Sequence, residues 1–160
     1  MQENVVQFSV SKTLHASNQA VWAVLGDFGT EHRWTRTLKY CERNTASVSV
    51  GTTRTCVLPK PLMGRTRVHE TLIEYAPHET LMYELDGAAG PFRKARSRWS
   101  SLALSPDTTE LKVEGVFVPR DWFSRYAVWP AAKPMLQRLT RQVLGEFEAY
   151  VIGASLKSPI

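Results

Sequence analysis

A long run of alternating residues is the feature that most constrains the fold. Between residues 38 and 118, β-branched and aromatic side chains alternate with polar ones, and clusters of turn-forming residues interrupt the alternation. A period of two residues indicates strands with one buried face, and short connections between strands favour antiparallel pairing. The alternation predicts six strands, over residues 38–44, 52–58, 67–74, 80–85, 94–104 and 110–118.

Two kinds of element are expected before this run. Residues 6–11 alternate in the same way and predict a first strand. Ser17 offers an N-cap to a short helix, in which apolar residues recur at helical spacing over residues 20–28 before Gly29 ends it. A further helical turn is expected around residues 31–34.

After the strands the sequence predicts one long helix. Residues 122–129 are rich in aromatic side chains and indicate a loop or broken helix. Apolar side chains then recur at helical spacing over residues 133–152, with Pro134 in the first turn. The expected fold is α+β, a curved antiparallel seven-stranded sheet wrapped around this helix, with a cavity between them. We expect one domain, residues 1–152, and a tail, residues 153–160.

Composition and charge exclude several classes of protein. The chain has 160 residues, 43% hydrophobic and 22% charged, which is typical of a globular domain. No apolar run approaches the ~20 residues of a membrane span, and the first residues lack the layout of a secretory signal, so a cytoplasmic location is expected. The net charge of +5 comes from scattered cations, so nucleic-acid binding is not expected.

The cysteines and histidines give no metal-binding pattern. Cys41 and Cys56 are too few for a disulfide scaffold and are expected to be free buried thiols. The histidines have no metal-ligand spacing, and neither a metal nor another cofactor is expected. Three of them are expected at the surface, namely His15, His69 and His78. His32, in the short helical turn, could face the cavity from its mouth.

Several local strings, in this order, carry a resemblance to a known family. They are AVWAVLGDF at 20–28, VGTTR at 50–54, HETLIEYAP at 69–77 and SRW at 97–99. The chain resembles the SRPBCC superfamily, also called START-like, Bet v 1-like or polyketide cyclase/dehydrase-like. That resemblance implies a helix-grip fold with an apolar cavity that opens near the loops at one end. Members bind lipids, isoprenoids, polyketides or plant hormones, and some catalyse cyclisation or dehydration.

Strand parity suggests a charged pair inside the sheet. Glu70 shares its face with Val68 and Leu72, and Arg54 shares its face with Cys56. An inward arginine needs a carboxylate to offset its desolvation, and Glu70 is the natural partner. The resemblance also implies an acidic residue and an arginine at these two positions. The pair would orient a polar group of the ligand, or it is a structural ion pair or lies at the cavity rim.

Other strands offer further candidates. Tyr83 lies on an apolar face and brings a phenol, while Ser97 and Trp99 share the face opposite a row of cations. The parity of Glu114 leaves inside and outside equally open. Inside, it would join Glu70 as a second carboxylate for acid–base chemistry.

Three segments are candidates for the cavity mouth. The loops at 59–64 and 87–92 carry apolar residues Leu62, Met63 and Phe92, and they are either gates or ordinary hairpin turns. The aromatic segment 122–129 would cap the mouth, or it contacts a membrane or a protein partner.

These observations favour a binding protein for a hydrophobic small molecule. The alternative is a cyclase, dehydratase or isomerase in which Arg54 stabilises an enolate and Glu70 or Tyr83 moves the proton. An interaction module that contacts a membrane or protein is the third interpretation, and the oligomeric state is not indicated. The expected ligand-binding residues are Arg54, Leu58, Glu70, Leu72, Leu81, Tyr83, Phe92, Ser97, Trp99, Glu114, Leu139 and Val143.

Overall fold

The computed structural model describes residues 4–62 and 64–157. Its strands are β1 (Val6–Leu14), β2 (Tyr40–Arg43), β3 (Thr53–Leu62), β4 (Arg65–Ala76), β5 (Thr80–Leu85), β6 (Phe92–Ser105) and β7 (Thr108–Pro119). Its helices are α1 (Asn18–Leu25), a 3₁₀ turn (Glu31–Arg33), a π-helical turn (Ser124–Val128) and α2 (Trp129–Lys157). The seven strands pair antiparallel in the order β1-β7-β6-β5-β4-β3-β2. The predicted curved sheet with a long C-terminal helix is confirmed.

The first helix begins where the sequence predicts and ends earlier. The Ser17 hydroxyl accepts a hydrogen bond from the Ala20 N–H at 3.1 Å, which caps α1. The last helical residue is Leu25, and the following Gly26 still donates its N–H to the Trp22 carbonyl. Gly29, the predicted end, lies in the next loop with φ of +100°.

The long helix is longer than predicted at both ends. The aromatic segment is a π-helical turn that continues directly into α2, and Asp121 Oδ1 accepts from the Ser124 N–H at 2.8 Å at its start. Pro134 therefore lies inside the helix and not in its first turn. The predicted tail begins within α2, which runs to Lys157, and residues 158–160 lie outside the described residues. No helix of the described chain is long and apolar enough to cross a membrane.

The prediction of free thiols is wrong, because Cys41 and Cys56 form a disulfide. The two residues are direct partners in the antiparallel register of β2 and β3, with Cα atoms 4.2 Å apart. Such close cross-strand pairs place two side chains on the same face within bonding distance. Spacing along the sequence could not show this, because it depends on the strand register.

Two groups of aromatic rings connect α2 to the sheet. The Trp129 cluster consists of Phe8, Phe92, Phe117 and Trp129, with contacting ring centroids 5.1 to 6.4 Å apart. The Phe147 cluster consists of Trp34, Trp99 and Phe147, with centroids 5.0 to 6.1 Å apart. Trp129 and Phe147 are about 27 Å apart along the helix at 1.5 Å per residue. The bulky rings therefore support α2 at two separated points.

The close approach of Phe8 to β7 requires a glycine. Gly115 is the register partner of Phe8, and a Cβ at Gly115 would lie 2.2 Å from the Phe8 ring. We expect Gly115→Ala to lower the free energy of unfolding by about 1–3 kcal/mol through overpacking, measured by urea denaturation. Gly145→Ala is the control, since nothing lies within 4 Å of its Cβ in α2. That change should stabilise by about 0.5–1 kcal/mol, and equal losses in both variants would contradict the packing argument.

Candidate functional site

A cavity of about 200 Å³ lies between the sheet and α2. Helix α2 contributes Leu139, Thr140 and Val143, which span the interval between the two aromatic clusters. The sheet and the loop after α1 supply the other walls. These remaining lining residues are Phe8, Leu25, Glu31, Trp34, Thr35, Thr37, Leu38, Arg54, Glu70, Leu81, Tyr83, Ser97, Trp99 and Val113.

Two thirds of the expected ligand-binding residues line this cavity. They are Arg54, Glu70, Leu81, Tyr83, Ser97, Trp99, Leu139 and Val143. Three apolar residues of the expected set do not. Leu72 is fully buried in the core, Phe92 packs within the Trp129 cluster, and Leu58 lies half-buried on β3 beyond the cavity.

Glu114 lies on the outer face of the sheet, which corrects its expected binding role. Burial along β7 alternates, with Leu111, Val113 and Gly115 buried and the residues between them half-exposed. The Glu114 carboxylate forms an ion pair with Lys112 Nζ at 2.9 Å on that outer face. The cavity therefore lacks the second carboxylate that an inward Glu114 would have supplied.

Arg54 is the centre of a buried ionic network. Its residue surface is 5% exposed, and its strand register places it directly opposite Glu70. The guanidinium donates from Nε to Glu70 Oε2 at 2.7 Å and pairs through Nη2 with the same oxygen. Its Nη1 pairs with Glu31 Oε1 at 2.5 Å. All three guanidinium nitrogens therefore face carboxylates.

Two adjacent rings cover the guanidinium. Its central carbon lies 4.3 Å from the ring centroid of Phe28 and 4.3 Å from that of Tyr83. These distances are within the range of cation–π attraction, which is strengthened by the absence of water. Glu31 and Glu70 raise the pKa of Arg54 against the opposing effect of burial, so the side chain stays charged.

The second carboxylate, Glu31, was not among the predicted site residues. It begins the 3₁₀ turn, and its two oxygens accept from the Gly29 N–H at 3.1 and 2.9 Å. Gly29 adopts φ of +100°, and a Cβ there would lie 2.8 Å from Arg43 Cβ, so this turn needs glycine. A loop residue has no periodicity to reveal its direction. Parity on β7 could have identified Val113, another lining residue that was missed.

The cavity wall on β5 and β6 carries polar groups. Burial raises the pKa of the Tyr83 phenol, although the Arg54 charge opposes this effect, and the phenol is protonated near neutral pH. The hydroxyl of Ser97 and the indole of Trp99 lie beside this phenol and also oppose the rise. The Trp99 N–H is buried yet reaches hydrogen-bond geometry with no described residue.

The remaining candidates do not contribute to the cavity. The surface placement of His15, His69 and His78 is confirmed. The Nδ1 atom of His32 accepts from the Cys41 N–H at 3.1 Å, and His32 does not line the cavity.

The expected gates and cap are also absent from the cavity wall. Phe92 is 2% exposed and is therefore not a loop tip, while Met63 and the Leu62 side chain lie outside the described residues. Trp129 is buried in its cluster. The other large aromatics of the segment, Trp122, Phe123 and Tyr126, are exposed and do not line the cavity, so they do not cap it.

The ionic network predicts a large effect of removing its cation. We expect Arg54→Met to lower the free energy of unfolding by about 3–5 kcal/mol near pH 7, because two carboxylates then lack their partner. The difference from the wild type should shrink as pH falls toward about 4, where carboxylates take up protons. Arg96→Met, which removes the half-exposed Arg96 and Glu84 pair, should cost about 0–1 kcal/mol.

Urea denaturation of both variants at several pH values measures these effects. Equal losses for Arg54→Met and Arg96→Met, or a deficit that is independent of pH, would contradict a buried ionic network.

The fold is similar to that of several solved structures. A START superfamily protein from Mycobacterium smegmatis has a TM-score of 0.73 and 17% identity, covering 92% of this chain and 98% of that one. The structure of Ara h 8.0201 gives 0.73 and 14%, covering 94% and 99%. A Thalictrum norcoclaurine synthase point mutant with a transition-state analogue gives 0.74 and 11%, covering 97% and 99%. These likenesses show the shared fold.

Comparison with curated protein sequences finds no match. The family profile described as "Polyketide cyclase / dehydrase and lipid transport" matches residues 5–151, which is nearly the whole chain. With the helix-grip fold and the cavity in place, this match shows that the chain belongs to the polyketide cyclase/dehydrase and lipid transport family of the SRPBCC superfamily.

Proposed function

We propose that this protein binds a compact, mostly apolar molecule that carries one hydroxyl or carbonyl group. The observation that carries the proposal is the cavity between the sheet and α2, whose apolar wall includes the Glu70 carboxylate and the Tyr83 phenol. Ligand sites in proteins combine apolar walls with a few placed polar groups, and this cavity has that composition. Family membership supports a hydrophobic ligand in general.

The volume limits the size of the ligand. A cavity of ~150 Å³ is enough for benzene, whereas sites for larger molecules have about 300–1,000 Å³. The volume of this cavity is about 200 Å³. A molecule of one or two rings fits inside, while a lipid chain or a larger polyketide would extend through the mouth.

The polar groups define the pattern of hydrogen bonds. Tyr83 brings a protonated phenol to the cavity wall, and its O–H can donate to a ligand oxygen. Both bonds from Arg54 to Glu70 end on Oε2, and Oε1 makes no hydrogen bond with any described residue. A ligand hydroxyl can therefore accept from the phenol and donate to the Glu70 carboxylate.

Arg54 has a positioning role in this proposal. Its nitrogens already face Glu31 and Glu70, so it holds the two carboxylates in place and does not contact the ligand directly. The cytoplasmic location stays a prediction, which the Cys41–Cys56 disulfide counts against because such bonds are rare in reducing compartments.

Two matched probes test the binding function. Equilibrium dialysis should show that 2-naphthol binds about tenfold more tightly than naphthalene, because one buried hydrogen bond contributes about 1.4 kcal/mol. Tyr83→Phe should remove most of this preference while naphthalene still binds. Val143→Trp should fill the cavity and abolish binding of both probes.

Ile73→Trp is the control, since Ile73 is 38% exposed and does not line the cavity. It should bind both probes as the wild type does. Binding that survives Val143→Trp, or that Ile73→Trp removes equally, would place the ligand elsewhere and overturn the proposal.

The same site supports a second candidate function, proton transfer at carbon next to a ligand carbonyl. The supporting observation is a carboxylate with an unengaged oxygen, Glu70, in the same cavity as the protonated phenol of Tyr83. Glu70 would remove the proton from the α-carbon, and the Tyr83 O–H would stabilise the enolate oxygen. The expected enolate role of Arg54 passes to Tyr83, because the guanidinium is already occupied.

Hydrogen–deuterium exchange tests this candidate. 2-Tetralone, a two-ring ketone, should exchange its α-protons in D₂O faster with the protein than without it, as measured by NMR. Glu70→Gln should abolish the acceleration, and Glu84→Gln, on the outer face with Arg96, should retain it. No acceleration by the wild type, despite binding of 2-tetralone in dialysis, would leave binding as the function and exclude this chemistry.

A further inference from the structure

The helical region after β7 presents an apolar surface to solvent. Its large members are Trp122, Phe123, Tyr126 and Met135, which are 74%, 56%, 69% and 58% exposed. Exposed residues recur in pairs every four positions. We define the helical stripe as Trp122, Phe123, Tyr126, Ala127, Pro130, Ala131, Pro134 and Met135.

The stripe forms one continuous face without charge. Spacings of three and four residues place side chains on the same side of a helix, and the fourteen residues from Trp122 to Met135 extend about 20 Å. Every residue of the stripe is exposed, and none carries a charge. Apolar residues scattered singly on a surface are ordinary, whereas a contiguous patch of aromatic residues indicates an interface.

Cations surround this apolar face. Between residues 120 and 141 the sequence has five cations, which are Arg120, Arg125, Lys133, Arg138 and Arg141, and one acid, Asp121. The hydrogen bond from the Ser124 N–H lowers the pKa of Asp121 and engages its carboxylate in starting the helical turn. The surface therefore combines exposed aromatic rings with an excess of positive charge.

A groove beside the stripe gathers several of these cations. Its volume is about 260 Å³, and it is lined by Arg93, Arg120 and Arg125 together with Trp122 and Tyr126. Asn4, Pro119 and Asp121 complete its walls. The Arg125 guanidinium lies 5.6 Å from the Tyr126 ring centroid. Arginine and aromatic groups thus meet in a space that is large enough for a small anionic group.

We propose that the helical stripe docks onto an anionic membrane surface, with the aromatic side chains at headgroup depth. Tryptophan and tyrosine prefer the membrane interface, because one part of each ring system is apolar and another forms hydrogen bonds. A helix with an apolar face and flanking cations lies in the plane of the interface and gains affinity from anionic lipids. The groove accepts the phosphate or carboxylate of a headgroup.

The charges favour a membrane over a second copy of the chain. A twofold dimer would place the same surface on both partners and bring the five cations of each copy near those of the other. Repulsion between like charges opposes that arrangement, while an anionic bilayer attracts all of them. The stripe also leads to the cavity, since Leu139, four residues after Met135, is 42% exposed and lines it.

Vesicle flotation of the full-length chain tests the proposal. The protein should float with vesicles of phosphatidylcholine containing about 30 mol% phosphatidylserine and much less with pure phosphatidylcholine. NaCl at about 0.5 M should weaken this binding, because salt screens the headgroup charge. The double variant Trp122→Ala and Phe123→Ala should lower the bound fraction about tenfold, and Arg93→Gln with Arg120→Gln should remove the preference for phosphatidylserine.

The control is a second exposed apolar pair far along the sheet. Leu102 and Leu104 on β6 are 61% and 52% exposed, and changing both to alanine should leave flotation unchanged. Circular dichroism checks that each variant is folded. The absence of binding by the wild type, or equal losses in both double variants, would overturn the proposal. A dimer in analytical ultracentrifugation would also overturn it, if the Trp122→Ala and Phe123→Ala double variant alone dissociates that dimer. That result would assign the stripe to a second copy of the chain.

The membrane-docking proposal and the ligand-site proposal can fail independently of each other. Val143→Trp fills the cavity and should not alter flotation, whereas the stripe variants should bind 2-naphthol as the wild type does. Loss of flotation with Val143→Trp would show that membrane contact depends on the cavity and would overturn an independent docking surface.

Discussion

The separation of α2 from the sheet depends on bulky aromatic rings at two points along the helix. The Trp129 cluster and the Phe147 cluster fill the space beneath the helix with Phe and Trp side chains, which are incompressible at these contacts. Between them the helix presents Leu139, Thr140 and Val143, which are too short to reach the opposite wall. The cavity is the space that a rigid helix leaves when its two supports are larger than the residues between them.

The buried charge of Arg54 imposes the second constraint. A guanidinium without water needs partners for its hydrogen-bond donors and its charge, and removal of any partner is costly. Four segments supply them, because Glu70 comes from the neighbouring strand, Glu31 from the 3₁₀ turn, Phe28 from the loop after α1 and Tyr83 from β5. These contacts hold the loop before β2 against the sheet at the cavity wall. Gly29 in this loop adopts a positive φ, which lets Glu31 reach Arg54.

Strand parity determined how much of this could be read from the sequence. The period of two placed all seven strands within a few residues of their observed positions and put Arg54 and Glu70 on one face, where the register pairs them. Strand parity could not predict a residue's direction where that direction depends on other interactions. The Cys41–Cys56 disulfide depends on register between strands, Glu31 lies in a loop without period, and the conflicting neighbours of Glu114 left its direction open until burial of β7 resolved it.

Parity gives the direction of a side chain and not what it packs against, so the boundary of the cavity was harder to predict than the fold. Leu72 and Phe92 point inward as their strands require, yet both belong to the packed core, where Phe92 lies within the Trp129 cluster. Leu139 illustrates the opposite case, since helical periodicity gives it an inward direction while the structure leaves it at the boundary of cavity and solvent. A residue in that position contacts both a ligand inside and whatever covers the helix outside. If the helical stripe docks onto a bilayer as proposed, Leu139 would lie between that bilayer and the cavity.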